Sequence, residues 1–279
     1  MKVFAMLICF FAVSVNAVAQ FKSGTVILVG YSKNKIIMTA DSRAGDEGKA
    51  PTDDACKITA LNNKLLFSAT GRIFDKTNGI VGWNAPEQAK QAFEQISNQM
   101  PVPGDGFTRY VAQLWAQLVS QNIASHIRAE EYATLRPHRL YLDGIFAGIG
   151  PTGNIQTGYV IVGSDVPSGP GSRRMGYTGV REMSLSDTVD YFVLGHTKTL
   201  NEFINATTGR AKAEKAVTLK QSRTWPFLDA DARMAIRLTE LIIKYAYHPE
   251  QVHGSVDAVE VDKGGTMRWI QRKANCPQN

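Results

Sequence analysis

Cysteine is scarce in this chain, at three in 279 residues, and one of the three lies within the first twenty. Loss of Cys9 with a leader would leave Cys56 and Cys276, which allow at most one disulfide and exclude a disulfide-built scaffold. Beyond the first twenty residues no apolar run approaches the roughly eighteen uninterrupted residues of a membrane helix. Dense Lys/Arg blocks are also lacking. The net charge of +6 is spread along the chain, which argues against a nucleic-acid groove. His126, His138, His248 and His253 stand at no metal-ligand spacing with the cysteines, so no metal and no cofactor are expected. The 24 glycines and 11 prolines follow no period, which excludes collagen-like and low-complexity sequence. With 44% hydrophobic residues, a chain of this length can bury roughly three quarters of its surface, so stability must come from a core.

The first nineteen residues read as a secretory signal. Lys2 supplies the positive start, Val3 to Val15 the apolar stretch and Ala17-Val18-Ala19 the small-residue cleavage site. The expected location is secreted or periplasmic, with no membrane attachment after cleavage. Residues 20–24 then form a short propeptide ahead of one domain over residues 25–279, in which neither a repeat nor a dividing linker is visible.

Periodicity divides that domain into blocks. Short β-branched runs at 25–31 and 35–40 flank Ser32-Lys33-Asn34, the grammar of a hairpin, and a second pair is expected at 55–60 and 64–69. Asn84-Ala85-Pro86-Glu87 offers a cap, an early proline and an acidic first turn, so a helix is expected to about Met100. Apolar residues recurring at three and four (Val111, Leu114, Trp115, Leu118) predict a second helix from Phe107 to Arg128. Strands are expected at 141–149, 155–162 and 188–194, helices at 197–207 and 229–247, and a closing hairpin at 255–261 and 266–271. Residues 72–83 and 208–226 read as insertions, and Gly163 to Arg174 as a mobile loop. The alternation suggests an α+β protein with a two-sheet core and helix layers outside, a four-layer αββα sandwich.

Thr25 opens the first strand, Asp41 ends the second in Ala40-Asp41-Ser42-Arg43, Lys57 begins the third, and Gly71 follows the fourth. If adjacent strands bring these ends together, a hydroxyl, a carboxylate, an ammonium and a backbone amide converge. For Asp41 and Lys57 the alternative is a structural ion pair between strand ends. Cys56, beside Lys57, has no activating histidine in sequence and reads as a small buried hydrophobe. Asp53-Asp54 reads as a solvated turn, since the alternation of a calcium loop is missing.

Gly24-Thr25 and the steps to Asp41, Lys57 and Gly71 resemble the proteasome β-subunit family of N-terminal nucleophile (Ntn) hydrolases, and Asp41-Ser42-Arg43 looks like its Asp-Ser-Arg strand end. The resemblance implies that the chain cuts itself at Gly24-Thr25. It makes Thr25 the nucleophile, Lys57 the charge lowering its proton affinity, Asp41 the partner of Lys57, Arg43 a neighbour of that pair and the Gly71 amide an oxyanion donor. Leu194-Gly195-His196-Thr197 stands where the family has a serine turn. His196 is thus either a polar partner near the amine or a helix-capping surface histidine. Glu250 stands near the family's second relay segment as a carboxylate substitute. The implied activity is hydrolysis of a peptide or amide substrate. A small-amide acylase and a non-catalytic module of the same fold are the alternatives, and the resemblance implies a homo-oligomeric ring.

Overall fold

The computed structural model describes residues 25–43, 52–53, 55–77, 80–100, 104–127, 140–150, 152–165, 174–182, 190–195, 231–246, 252–274 and 276. Within them the protein is mixed α+β, with two five-stranded antiparallel sheets and three helices. The first sheet contains β1 (Val26–Tyr31), β2 (Lys35–Ala40), β10 (Asp190–Gly195), β11 (Asp257–Asp262) and β12 (Met267–Gln271), in the order β10-β1-β2-β11-β12. The second contains β3 (Ile58–Ala60), β4 (Leu65–Gly71), β7 (Leu140–Ile149), β8 (Ile155–Asp165) and β9 (Arg174–Tyr177), in the order β3-β4-β7-β8-β9. A small hairpin joins β5 (Phe74–Thr77) to β6 (Ile80–Asn84).

Strands β1 and β2 are almost wholly apolar because both their faces are covered. Ile27, Val29, Ile36 and Met38 meet Leu66 and Ile145 of the other sheet, while Val26, Leu28 and Ile37 pack on Ala235 and Ile242 of α3 (Ala232–Lys244). Alternate residues of one continuous run therefore enter two different cores. Asp231 caps α3, its carboxylate accepting from the N–H groups of Arg233 and Met234 at 2.8 and 3.1 Å. On the far side, α1 (Ala85–Gln99) and α2 (Phe107–His126) cover the second sheet through Ala89, Ala92, Val111 and Trp115, packed on Phe67 and Phe146. Asn84 caps α1 and Pro86 lies in its first turn, as expected.

Most boundaries fall within two residues of the sequence expectation; the helix expected at 229–247 is shorter, α3 being capped by Asp231 and ending at Lys244, and three further points differ. The segment 72–83 contains the β5–β6 hairpin, whose short strand Phe-Asp-Lys-Thr carries too little apolar alternation to be read. Gly163 to Asp165 continue β8 and Arg174 opens β9, so these ends of the expected loop are paired strand. The third strand begins at Ile58, leaving Lys57 just ahead of it. The helix expected at 197–207 and the segment 208–226 lie outside the described residues.

Candidate active site

Antiparallel pairing of β1 with β2 brings the start of one to the end of the other: Ile27 opposes Ala40, so Asp41 lies opposite Val26, the residue after Thr25. The Asp41 N–H donates to the Val26 carbonyl at 3.1 Å, and the Val26 N–H donates to Asp41 Oδ1 at 2.9 Å. Asp41 Oδ2 also accepts from the Arg43 N–H at 3.2 Å. The carboxylate is thereby locked by backbone donors before any side chain is considered.

Lys57 reaches this point from the second sheet. Its Nζ donates to Asp41 Oδ1 at 2.8 Å and to Thr25 Oγ1 at 3.0 Å. The Ser68 hydroxyl donates to the Lys57 carbonyl at 2.7 Å, tying the lysine backbone to β4. Thr25, Asp41 and Lys57 are 4%, 0% and 7% exposed, so a charged pair and a hydroxyl share a buried site. Burial pushes the Lys57 pKa below the ordinary lysine value, Asp41 opposes that shift, and the charge of Lys273 adds to it.

Gly71 ends β4 in a left-handed conformation, φ 98°, with the Arg72 N–H donating to the Tyr141 carbonyl at 3.0 Å. Any side chain there would collide with Leu142. Thr70, one residue earlier, lies beside Gly195 at the end of β10, and Gly195 in turn lies against the Thr25 carbonyl. The segment at Gly71 thus abuts the start of β1 through Thr70 and Gly195. In the sequence Gly195 stands only as part of a turn. Its signal was a glycine directly after an apolar strand.

Arg43 neighbours the pair through its N–H, and its guanidinium has a partner of its own. It grips Asp53 with two bonds, Nε to Oδ1 at 2.6 Å and Nη2 to Oδ2 at 2.9 Å. His253 Nδ1 lies 3.1 Å from Asp53 Oδ2. The guanidinium holds the Asp53 carboxyl below its usual pKa, and Asp53 raises that of Arg43. Asp53 is exposed, as expected of a solvated turn, and is in addition an ion-pair partner. Cys56 also needs correcting: it is disulfide-bonded to Cys276, with the Cα atoms 5.6 Å apart. Two cysteines separated by 220 residues carry no local signal of proximity. His196 and Glu250 lie outside the described residues, as do Gly24, His138 and His248. His126 is at the exposed end of α2, bonded to Asn122.

Not foreseen at all was Asp143 on β7, opposite Thr70. It is 5% exposed, accepts from the Tyr159 hydroxyl at 3.2 Å through Oδ2, and its Oδ1 has no hydrogen-bond partner among the described residues. Burial raises its pKa to about 6. A single aspartate in a strand otherwise apolar offers no periodic signal.

Chemically, the centre holds a hydroxyl against an ammonium whose own counter-ion is fixed by the backbone. No protein-family model matches the chain, and no curated protein matches it.

Proposed function

We propose that the protein is an exported threonine-type Ntn hydrolase with an αββα sandwich fold, cleaving peptide or amide bonds through a Thr25 acyl-enzyme after self-cleavage at Gly24-Thr25. The observation that carries this reading is the Lys57 ammonium bridging the Thr25 hydroxyl and the Asp41 carboxylate in a buried site. The helix-covered sheets support the fold, and a Cys56–Cys276 disulfide suits an oxidising compartment.

In the uncut chain the nitrogen of Thr25 is an amide and has essentially no basicity. Attack of its hydroxyl on the Gly24 carbonyl forms an ester as the Gly24-Thr25 C–N bond breaks. The hydroxyl proton passes to the departing nitrogen, which becomes the free α-amine, and water then hydrolyses the ester to release the upstream peptide and restore the hydroxyl. Such an amine has an ordinary pKa of about 7.7 to 8.0 and takes the hydroxyl proton at neutral pH far more readily than an ordinary lysine. Thr25 Oγ1 then attacks the substrate carbonyl, the proton passes through the amine to the leaving nitrogen, and water resolves the ester. The Lys57 charge favours the developing alkoxide, and the Gly71 amide is the candidate donor to the oxyanion.

The test is the N-terminus of the purified protein, with wild type expected to begin at Thr25 and Thr25→Ala upstream of it, most simply at Gln20. A fluorogenic amide panel should show turnover only in wild type. Wild type that stably keeps Gln20 and hydrolyses no amide would overturn the enzyme reading in favour of a non-catalytic module of this fold.

A further inference from the structure

Behind the Lys57–Asp41 pair lies a second buried pair. Asp257 opens β11 directly opposite Ala40, the residue before Asp41. Its Oδ2 is ion-paired with Lys273 Nζ and its Oδ1 accepts from the Lys273 N–H at 3.1 Å. The Lys273 and Asp257 side chains are 11% and 2% exposed. The Cys276 N–H donates to the Lys273 carbonyl at 3.1 Å, and Cys276 is bonded to Cys56, the residue before Lys57. The segment after β12 is therefore fastened at both ends to the lysine site, covalently to the strand entry that carries Lys57 and electrostatically to the strand beside Asp41.

We infer that Lys273, held by Asp257 and by the Cys56–Cys276 clamp, is a positioning residue that sets the proton affinity of Lys57 through its charge. This rests on the catalytic reading of Lys57 for its consequence, though not for its measurement. Among the described residues the charged groups bearing on Lys57 are Asp41 after β2, Asp53 and Lys273 after β12, with Asp257 of β11 holding Lys273 and β4 contributing the neutral Ser68; after self-cleavage the Thr25 α-amine joins them and is common to every variant compared. A second cation in a poorly screened interior disfavours the protonated form of the first, and Asp257 limits how far it does so.

The sign separates this role from mere support. Lys273→Met removes the repelling cation and leaves the Asp257 carboxylate, so the Lys57 ammonium should titrate at higher pH. Asp257→Asn keeps the shape and leaves Lys273 uncompensated, so Lys57 should titrate at lower pH. Each shift is expected on the order of half a pH unit or more. The readout is the Nζ signal of Lys57 in protein carrying 15N-labelled lysine, assigned by its loss in Lys57→Arg and followed without substrate.

The alkaline limb of amide hydrolysis should move in the same directions. Coincident Lys57 titrations in wild type and both variants would overturn the inference, and so would shifts of the same sign. If Lys273→Met does not fold, the isosteric Asp257→Asn against wild type decides alone. An absence of hydrolysis with opposite shifts intact would overturn the proposed function and leave the coupling standing.

Discussion

Gly195 lies so close to Thr25 across the β10–β1 pair that a Cβ on the glycine would overlap the Thr25 carbonyl oxygen. Its φ of 83° is the left-handed conformation that side chains rarely adopt. Both facts make the position one where only glycine lets β10 close on the start of β1.

Gly195→Ala is therefore expected to cost about 2 kcal/mol or more and to displace Thr25. Denaturant unfolding and amide turnover measured together check this. Unchanged stability with full activity would show that the two strands can part without consequence.

Lys57→Ala removes one half of a buried pair and leaves Asp41 charged and unmatched. A stability loss of about 3 to 5 kcal/mol is expected. Turnover should fall about a hundredfold or more, because the charge beside Thr25 Oγ1 is lost. Steady-state rates on protein shown to be folded by circular dichroism give the answer, and full activity at normal stability would remove Lys57 from the mechanism.

Asp143 makes stability depend on pH with a definite sign. Its folded pKa of about 6 lies above the ordinary 3.8, so the native state binds the proton more tightly. The stabilisation is complete below pH 3.8 and is lost as pH rises through about 6. Over that window the carboxyl costs up to about 3 kcal/mol. Asp143→Asn should accordingly raise stability by about 1 to 3 kcal/mol at pH 7.5 and by little at pH 4. Equal differences at the two pH values would mean that Asp143 titrates normally.

Replacing Cys56 and Cys276 together by serine opens a loop of 220 residues. The expected loss is about 3 to 5 kcal/mol, read as a lower denaturant midpoint that matches that of reduced wild type. Serine variants as stable as oxidised wild type would assign the bond no stabilising role.

The strands and helices follow from local pattern, and so does the constellation of Thr25, Asp41 and Lys57. Continuous apolar runs in β1 and β2 announce strands buried on both faces, and Asn84 with Pro86 marks the start of α1. A hairpin of known loop length brings Asp41 to the start of β1 by arithmetic alone, because antiparallel pairing couples the first residue of one strand to the last of the next. Resemblance to a known family then supplied the roles expected of Lys57 and Gly71. What the tertiary structure alone decided involves groups joined across large sequence separations. The Arg43 guanidinium pairs with Asp53, Cys56 finds Cys276, and Lys273 and Asp257 gather behind Lys57. Periodicity records only which face a residue occupies. Which buried charge meets which depends on how the sheets and the returning C-terminal segment close, and no local pattern in the chain encodes that.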